Sequence, residues 1–336
     1  MITDRLLRDF KYLRISVTDK CNYRCSYCMP KDIFGKGHQF LRKNELLSYE
    51  EIIEVARVLK DYGLNKIRLT GGEPLLRKNI ELLVEGLKKD VLINEVVLTT
   101  NGSLLDIDKI KVLKEHGLDR ITISLDSLSK HSADNINPTN NDIPRVLESI
   151  ENTLAIYGSL NINMVVIKNI NNHEIMGMVN KFLEKNIELR FIEYMDVGES
   201  NNWMSENVFT SKETIDIISK NYNLTKIKDA KDSTSKKWQL DGYPLKISFI
   251  SSITKPFCGN CNRGRLSADG KFYTCLFSDS GYDFSTILRD KNNKLTLSEY
   301  FKTVWLNRDD QYSQIRFTNK DFKRKKNKIE MSYIGG

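Results

Sequence analysis

Six times between residues 13 and 194 the chain repeats one figure: a short Ile-, Val- and Leu-rich run, then a longer stretch with apolar residues at helical spacing. The runs at 13–17, 66–70, 95–100, 120–125, 161–167 and 188–194 predict strands of the kind buried in a parallel sheet. The clearest helix starts after Ser48, where Ser48-Tyr49-Glu50-Glu51 reads as a capping box and Ile52, Ile53, Ala56 and Leu59 follow on one face. Gly63 is a plausible terminator. Further helices are predicted over 80–88, 108–115, 145–157 and 173–185.

Six βα units in succession imply right-handed crossovers and a parallel sheet. The expected fold is α/β, a partial (β/α)6 TIM-like barrel with its active site at the C-terminal ends of the strands. A doubly wound open sheet is the second choice. Past Val197 the alternation stops: 198–205 is a polar loop, 229–237 a charged serine-rich connection, and 242–252 contains one more strand. These features divide the chain into a barrel domain, 1–206, and a smaller C-terminal region, 207–336.

At 336 residues, with 40% hydrophobic and 29% charged residues, the composition is that of a soluble globular protein. No apolar run approaches the roughly 20 residues of a membrane helix. Met1-Ile2-Thr3-Asp4-Arg5 lacks an apolar signal core, so a cytoplasmic location is expected. A net charge of +8 favours an anionic partner without naming it. Part of that excess, Lys323-Arg324-Lys325-Lys326 with Lys328, reads as a solvated basic face or tail.

The six cysteines fall into two trios, Cys21, Cys25 and Cys28, then Cys258, Cys261 and Cys275, with none left over. In a reducing compartment, thiols spaced this closely bind metal more often than they form disulfides. The first trio, C-x3-C-x2-C, follows the first strand directly and is able to wrap one corner of an iron–sulfur cube. A cube takes four ligands, so three local thiols leave one iron open to a small molecule. Zinc needs a fourth ligand, and His38, the nearest histidine, has no zinc-type spacing. The second trio, C-x2-C-x13-C, has the same arithmetic, and no histidine occurs after His173. Arg263-Gly264-Arg265 follows it closely and sets two guanidiniums beside the proposed cluster, suited to phosphate or purine acceptors.

Thr70-Gly71-Gly72-Glu73-Pro74 ends the second strand; alone, such a turn reads as structural. Together with Cys21-Asn22-Tyr23-Arg24-Cys25-Ser26-Tyr27-Cys28 it resembles the radical S-adenosylmethionine superfamily. The second trio, Leu98-Thr99-Thr100-Asn101-Gly102, Ser124-Leu125-Asp126, Arg190-Phe191-Ile192-Glu193-Tyr194-Met195 and Tyr333-Ile334-Gly335-Gly336 narrow the likeness to its GTP 3′,8-cyclase family. The resemblance covers nearly the whole chain.

That resemblance implies two [4Fe-4S] clusters and S-adenosylmethionine as cofactors. It makes Cys21, Cys25 and Cys28 the ligands of a cluster that cleaves S-adenosylmethionine to a 5′-deoxyadenosyl radical. The radical takes the 3′ hydrogen of GTP, and the ribose carbon then attacks C8 of guanine. Cys258, Cys261 and Cys275 hold the second cluster, whose open iron meets the guanine edge. S-adenosylmethionine contacts are carried over to Tyr27, Gly72, Ser124 and Met195. GTP contacts go to Arg14, Lys66, Arg68, Thr99, Arg190, Arg263, Gly264 and Arg265, with catalytic roles for Arg14, Arg263, Arg265, Gly335 and Gly336. By sequence alone the terminal diglycine is a frayed end; by resemblance it enters the cavity. Where the family usually carries a substrate-directed lysine this chain has Asn161, so that role is not carried over.

The implied partners are GTP, an external one-electron reductant and the downstream cyclic pyranopterin monophosphate synthase. A homodimer is left open, and neither nucleic acid nor membrane is expected. The rivals are a radical enzyme acting on a peptide or on tRNA with an auxiliary cluster.

Overall fold

The computed structural model describes residues 1–139, 142–228, 234–290, 295–319 and 328–335. The basic run 323–326 and Gly336 lie outside them, as do 229–233 of the serine-rich connection. The first six strands are β1 (Tyr12–Ser16), β2 (Lys66–Thr70), β3 (Glu95–Thr100), β4 (Arg120–Ser124), β5 (Leu160–Val166) and β6 (Ile187–Glu193). They lie side by side in sequence order and all parallel, and each falls within about one residue of the expected span. Helices α1 (Tyr49–Lys60), α2 (Ile80–Lys89), α3 (Ile107–Glu115), α4 (Lys130–Ile136), α5 (Ile143–Tyr157) and α6 (Ile175–Phe182) connect them, α4 alone being absent from the sequence reading. The Ser48 capping box is formed, with Glu51 N donating to Ser48 Oγ and Ser48 N to Glu51 Oε2. Such a cap contributes about 1 kcal/mol.

Alternation within the strands sorts the side chains. Leu13, Ile15, Ile67, Leu69, Val96, Leu98, Ile121, Ile123, Ile162, Met164, Leu189 and Phe191 are all buried and join the main core cluster with the helices. The intervening residues are largely polar and line a cavity on the other face.

The C-terminal region continues the same sheet on both sides. Strands β7 (Leu224–Lys226), β8 (Lys236–Leu240) and β9 (Lys246–Ile250) extend one edge; β10 (Arg263–Leu266), β11 (Lys271–Tyr273) and β12 (Tyr282–Asp283) extend the other. Both junctions, β6 with β9 and β1 with β10, are parallel. Neither edge of the six-stranded barrel is therefore open, and β10 carries the second cysteine region to the side of β1. Helices α7 (Ser211–Ile218), α8 (Phe284–Arg289), α9 (Leu297–Leu306) and α10 (Tyr312–Thr318) complete the region. Phe10, Phe272, Phe301 and Trp305 form the aromatic seam between it and β1.

Among the described residues, no helix is long and apolar enough to cross a membrane.

Candidate active site

The loop after β1 carries Cys21, Cys25 and Cys28, and two other loops hold it in place. Gly72 N donates to Thr18 O and Glu73 N to Lys20 O, both at 2.8 Å. A Cβ on Gly71 would collide with Thr18 O, and one on Gly72 with Lys20 O. Gly71 also adopts φ +148°, which L side chains rarely do. The paired glycines are thus required by the cysteine loop itself, whose backbone crosses directly above them. Glu73 ties this turn to the end of β3, accepting from Thr100 Oγ1 at 2.7 Å and Asn101 N at 2.8 Å. Burial pushes its carboxyl up to about 7, against the pull of those bonds. Asn101 in turn donates to Asn22 Oδ1 at 2.9 Å. Gly72→Ala is therefore expected to displace the loop and lose the first cluster. The iron content of the reconstituted chain, about half that of the parent, checks it.

Cys25 and Cys28 are pushed upward by burial and, among nearby charges, by the neighbouring thiols; burial raises Cys21 to about 11. Ligation by iron therefore displaces protons that these thiols hold firmly. Tyr27 donates to Asp126 Oδ2 at 2.7 Å, and Asp126 Oδ1 accepts from Val165 N. Burial lifts that carboxyl to about 6. Cys25, Tyr27, Ser124 and Asp126 line a common pocket of about 70 Å³ beside the loop. Met195 lies apart from it, in the larger cavity described next.

That cavity, of about 570 Å³, occupies the concave side of the sheet. Its lining includes all three of Cys258, Cys261 and Cys275, and also Arg14, Lys66, Arg68, Arg190, Arg263 and Arg265. Register explains the clustering. Arg14 on β1 stands directly between Arg265 on β10 and Arg68 on β2, and Tyr12 stands between Arg263 and Lys66. Adjacent strands are only about 4.8 Å apart, so three guanidiniums form one row across them. Like charges placed opposite one another destabilise a sheet. Among the described residues nine cationic side chains line the cavity, against a single carboxylate, that of Glu188.

Each cation is braced. Arg68 Nε donates to Tyr12 Oη at 2.5 Å, and its Nη1 to Thr99 Oγ1 at 2.5 Å and Thr122 Oγ1 at 3.2 Å. Lys66 and Arg120 share Glu95, at 2.6 and 2.7 Å, and Arg190 and Lys237 share Glu188, at 2.7 and 2.8 Å. Burial pushes Arg14 well below its ordinary value, and the nearby arginines add to that despite the opposing pull of Tyr12. Burial and Arg263 bring Arg265 down to about 10. Burial acts to raise the Tyr12 phenol, yet Arg68, Arg14 and Lys66 outweigh it and hold it at about 7.

The C-terminal tail reaches this row: Gly335 O accepts from Arg14 Nε at 2.8 Å and from Arg265 Nη1 at 2.6 Å. Asp196 accepts from buried Lys328, at 2.9 Å, and from Tyr312, at 2.7 Å, and pairs with Arg316. Glu330 accepts from Ser200 Oγ at 2.7 Å. These contacts dock the tail on the loop after β6.

Two expected contacts lie elsewhere. Gly264 sits on the opposite face of β10, where a Cβ would meet Phe272 and Phe10 in the core. Thr99 does not line the cavity and instead holds Arg68. Asn161, its amide oriented by its neighbours, accepts from Arg190 Nη2 at 2.5 Å and Nη1 at 3.2 Å, and from Arg120. A lysine there would face two guanidiniums. Residues that sequence reasoning missed include Lys11, Tyr12, Arg120, Asn163, Glu188 and Lys237, all of which line the cavity. For Tyr12, Arg120 and Asn163 a signal was available: polar residues at i and i+2 in strands otherwise built of aliphatic ones.

The residues fit iron–sulfur groups. In a cube each thiolate goes to a different iron, so three thiols serve one cluster. N–H donors already face the sulfurs: Tyr23 N to Cys21 Sγ at 3.4 Å, Arg263 Nη2 to Cys261 Sγ at 3.7 Å and Phe277 N to Cys275 Sγ at 3.5 Å. Burial acts to raise Cys261, but Arg263 and Arg308 hold it at about 6, favouring the thiolate. The buried Nε of Arg263 has no hydrogen-bond partner among the described residues, leaving a donor for a ligand.

The profile described as "Radical SAM superfamily" matches residues 15–182, and that described as "Molybdenum Cofactor Synthesis C" matches 187–314. A GTP 3′,8-cyclase of Staphylococcus epidermidis (strain ATCC 35984) is 41% identical over 338 aligned positions, covering 100% of this chain and 99% of the relative. One from Staphylococcus aureus (strain MRSA252) is 39% identical over 337, with the same coverage. Among solved structures, Streptococcus suis SuiB bound to S-adenosylmethionine superposes with a TM-score of 0.62 at 15% identity, covering 92% of this chain and 68% of that one. That last likeness is one of fold.

Proposed function

The chain belongs to the GTP 3′,8-cyclase family of the radical S-adenosylmethionine superfamily, and on that premise we propose which of its residues perform the reaction and how. The enzyme cyclises GTP to (8S)-3′,8-cyclo-7,8-dihydroguanosine 5′-triphosphate, the first step of molybdenum cofactor biosynthesis, using S-adenosylmethionine and two [4Fe-4S] clusters. When bound, the first cluster supplies the electron that splits S-adenosylmethionine, and the second offers an open iron to the substrate.

Everything else is positioning. Cys21, Cys25 and Cys28 hold the first cluster, and Cys258, Cys261 and Cys275 the second; residues 1–206 generate the radical and 207–336 present the substrate. Tyr27 and Ser124 border the adenosyl side, Gly72 supports the cysteine loop from below, and Met195 faces the cavity that holds the second trio. The single observation that carries the assignment is the in-register row Arg265–Arg14–Arg68, unbalanced by carboxylates among the described residues and closed at one end by a cluster site. Such a row is costly when empty and complementary to a triphosphate when filled; fixed charges that need no reorganisation are what positioning an anion demands. Gly335 O, held by two of these arginines, brings the tail into the same space. Lys66 and Arg190 keep their carboxylate partners, so they orient phosphates without presenting a bare charge. An external one-electron reductant and a synthase that receives the product complete the scheme.

The test is anaerobic reconstitution followed by incubation with GTP, S-adenosylmethionine and a reductant. It should give about eight irons per chain, 5′-deoxyadenosine and a cyclised guanosine triphosphate. Deoxyadenosine with GTP unchanged would instead support the peptide- or tRNA-modifying reading.

The Tyr12 phenol sets a pH dependence. Below about 7 it is neutral; above, the phenolate cancels one cavity charge. A bound triphosphate favours the neutral form, so GTP affinity should fall as pH rises through 7, by about tenfold between pH 6 and 8.5. In Tyr12→Phe that component disappears, leaving only the titration of GTP itself. Binding measured over this range in both proteins checks it.

A further inference from the structure

The turn that carries Cys258 and Cys261 is a single 3-10 turn, Cys258–Asn260, with no side-chain cap. Its carbonyls are held from beneath by residues at the two far ends of the chain. Arg8 Nη1 donates to Cys258 O at 2.9 Å and also to Asp310 O at 2.8 Å. Arg308 Nη1 donates to Cys261 O at 2.8 Å. Both guanidiniums rest on one carboxylate: Arg8 Nε lies 2.6 Å and Arg308 Nη1 3.2 Å from Asp4 Oδ2. Asp4 is further fixed by Leu6 N and Arg8 N, each at 2.9 Å from Oδ1. The three side chains are at most 2% exposed, and Arg308 also lies over the Trp305 ring, 4.6 Å from its centroid.

A buried Arg–Asp–Arg triad is a poor way to stabilise a fold, because dehydrating three charges offsets most of their attraction; apolar side chains of the same volume are often as good or better. Two of its charges are positive, and Asp310, 3.4 Å from Arg308 Nε, is the other carboxylate beside it. The Nη2 of Arg8 has no hydrogen-bond partner among the described residues. What the triad does that apolar packing does not is grip the main chain of two cysteines three residues apart.

We propose that Asp4, Arg8 and Arg308 are the positioning residues of the second cluster, clamping Cys258 and Cys261 in ligating geometry. This rests on the reading that Cys258, Cys261 and Cys275 bind a cluster. It goes beyond that reading in assigning the site's assembly to residues that touch neither substrate nor iron. The sites are separable, since Cys21, Cys25 and Cys28 are held by Gly71, Gly72, Glu73 and Asn101 instead.

The experiment compares the full-length parent, Arg308→Met and Arg308→Lys after identical anaerobic reconstitution. Arg308→Met removes one cation at similar volume and leaves Asp4 paired with Arg8, while Asp310, 29% exposed, loses its partner at 3.4 Å. It should retain about four of the parent's roughly eight irons. Its spectrum should keep the paramagnetic signal that shifts with S-adenosylmethionine and lose the one that shifts with GTP. Arg308→Lys keeps the charge but reaches only one of Asp4 and Cys261 O, and should recover iron to a value between the two. Arg308→Met with about eight irons and an unaltered GTP response overturns the proposal. So does loss of both clusters together, since the triad would then serve the whole fold rather than this turn. A parent chain that itself takes up only about four irons would fail the underlying cluster reading, a result distinct from either.

Discussion

Cys25→Ala should abolish cleavage of S-adenosylmethionine, with 5′-deoxyadenosine falling by at least about 10⁴-fold to background, while the chain still folds and still binds GTP. Cys25 is half-buried beside Cys21 and Cys28 in a loop braced by the glycine turn and by Asn101. Two thiols do not hold a cube that needs a ligand on each of three irons, so a lost thiol means a lost cluster rather than a slower one. The cationic row and the second trio lie in the other cavity. The variant should therefore carry about four irons and keep the parent's GTP dissociation constant within about threefold, a change under 1 kcal/mol. Iron analysis, product chromatography and GTP titration read these three quantities. A variant that has lost GTP binding as well would show that the two sites assemble as one unit.

Cys261→Ala is the mirror image. It should leave S-adenosylmethionine cleavage measurable in the absence of GTP and remove the cyclised product. The pair separates radical generation from radical use, a separation foreshadowed by the two pockets bordered by different trios.

How much of this was readable beforehand follows from where the information lies. The six barrel strands and the Ser48 helix were legible because their signal is local: aliphatic runs of five to seven residues and a capping box four residues long. Helix α4 escaped because Lys130–Ile136 is short and mostly polar, and packing rather than periodicity holds it. Strands β7, β8, β10, β11 and β12 escaped for a similar reason: they exist through their partners on either side of the six-stranded barrel. In the site, both cysteine trios and six cavity cations were legible from motifs. The acceptors that brace them were not, since Glu95 pairs with Lys66 across 29 positions and Glu188 with Lys237 across 49. Asn161 is instructive: as a departure from a lysine it reads as a charge lost, but in place its amide oxygen accepts from Arg190 and Arg120. No sequence pattern links residues 4, 8 and 308, so the clamp under the second trio was invisible until the fold joined the ends of the chain.

Arg265→Met should weaken GTP binding by about two orders of magnitude, the 2–5 kcal/mol that truncating one partner of a buried charge pair typically costs, without weakening the free fold. Arg265 is buried, stands in register with Arg14, and is itself held down to about 10 by its surroundings, so without an anion its charge is an expense. Methionine fills similar volume and removes one of three aligned charges. The melting temperature of the GTP-free chain should accordingly stay level or rise, while the increase produced by saturating GTP shrinks, since ligand stabilisation scales with RT ln(1 + [L]/Kd). Opposite signs in the two melts separate a binding residue from a structural one; a structural arginine lost would lower both. The variant also loses one of the two donors to Gly335 O. Its kcat at saturating GTP should therefore fall as well, and 5′-deoxyadenosine should form in excess over cyclised product. A variant whose free chain melts several degrees lower, with GTP affinity unchanged, would mean that the row supports the barrel and that the triphosphate is held elsewhere.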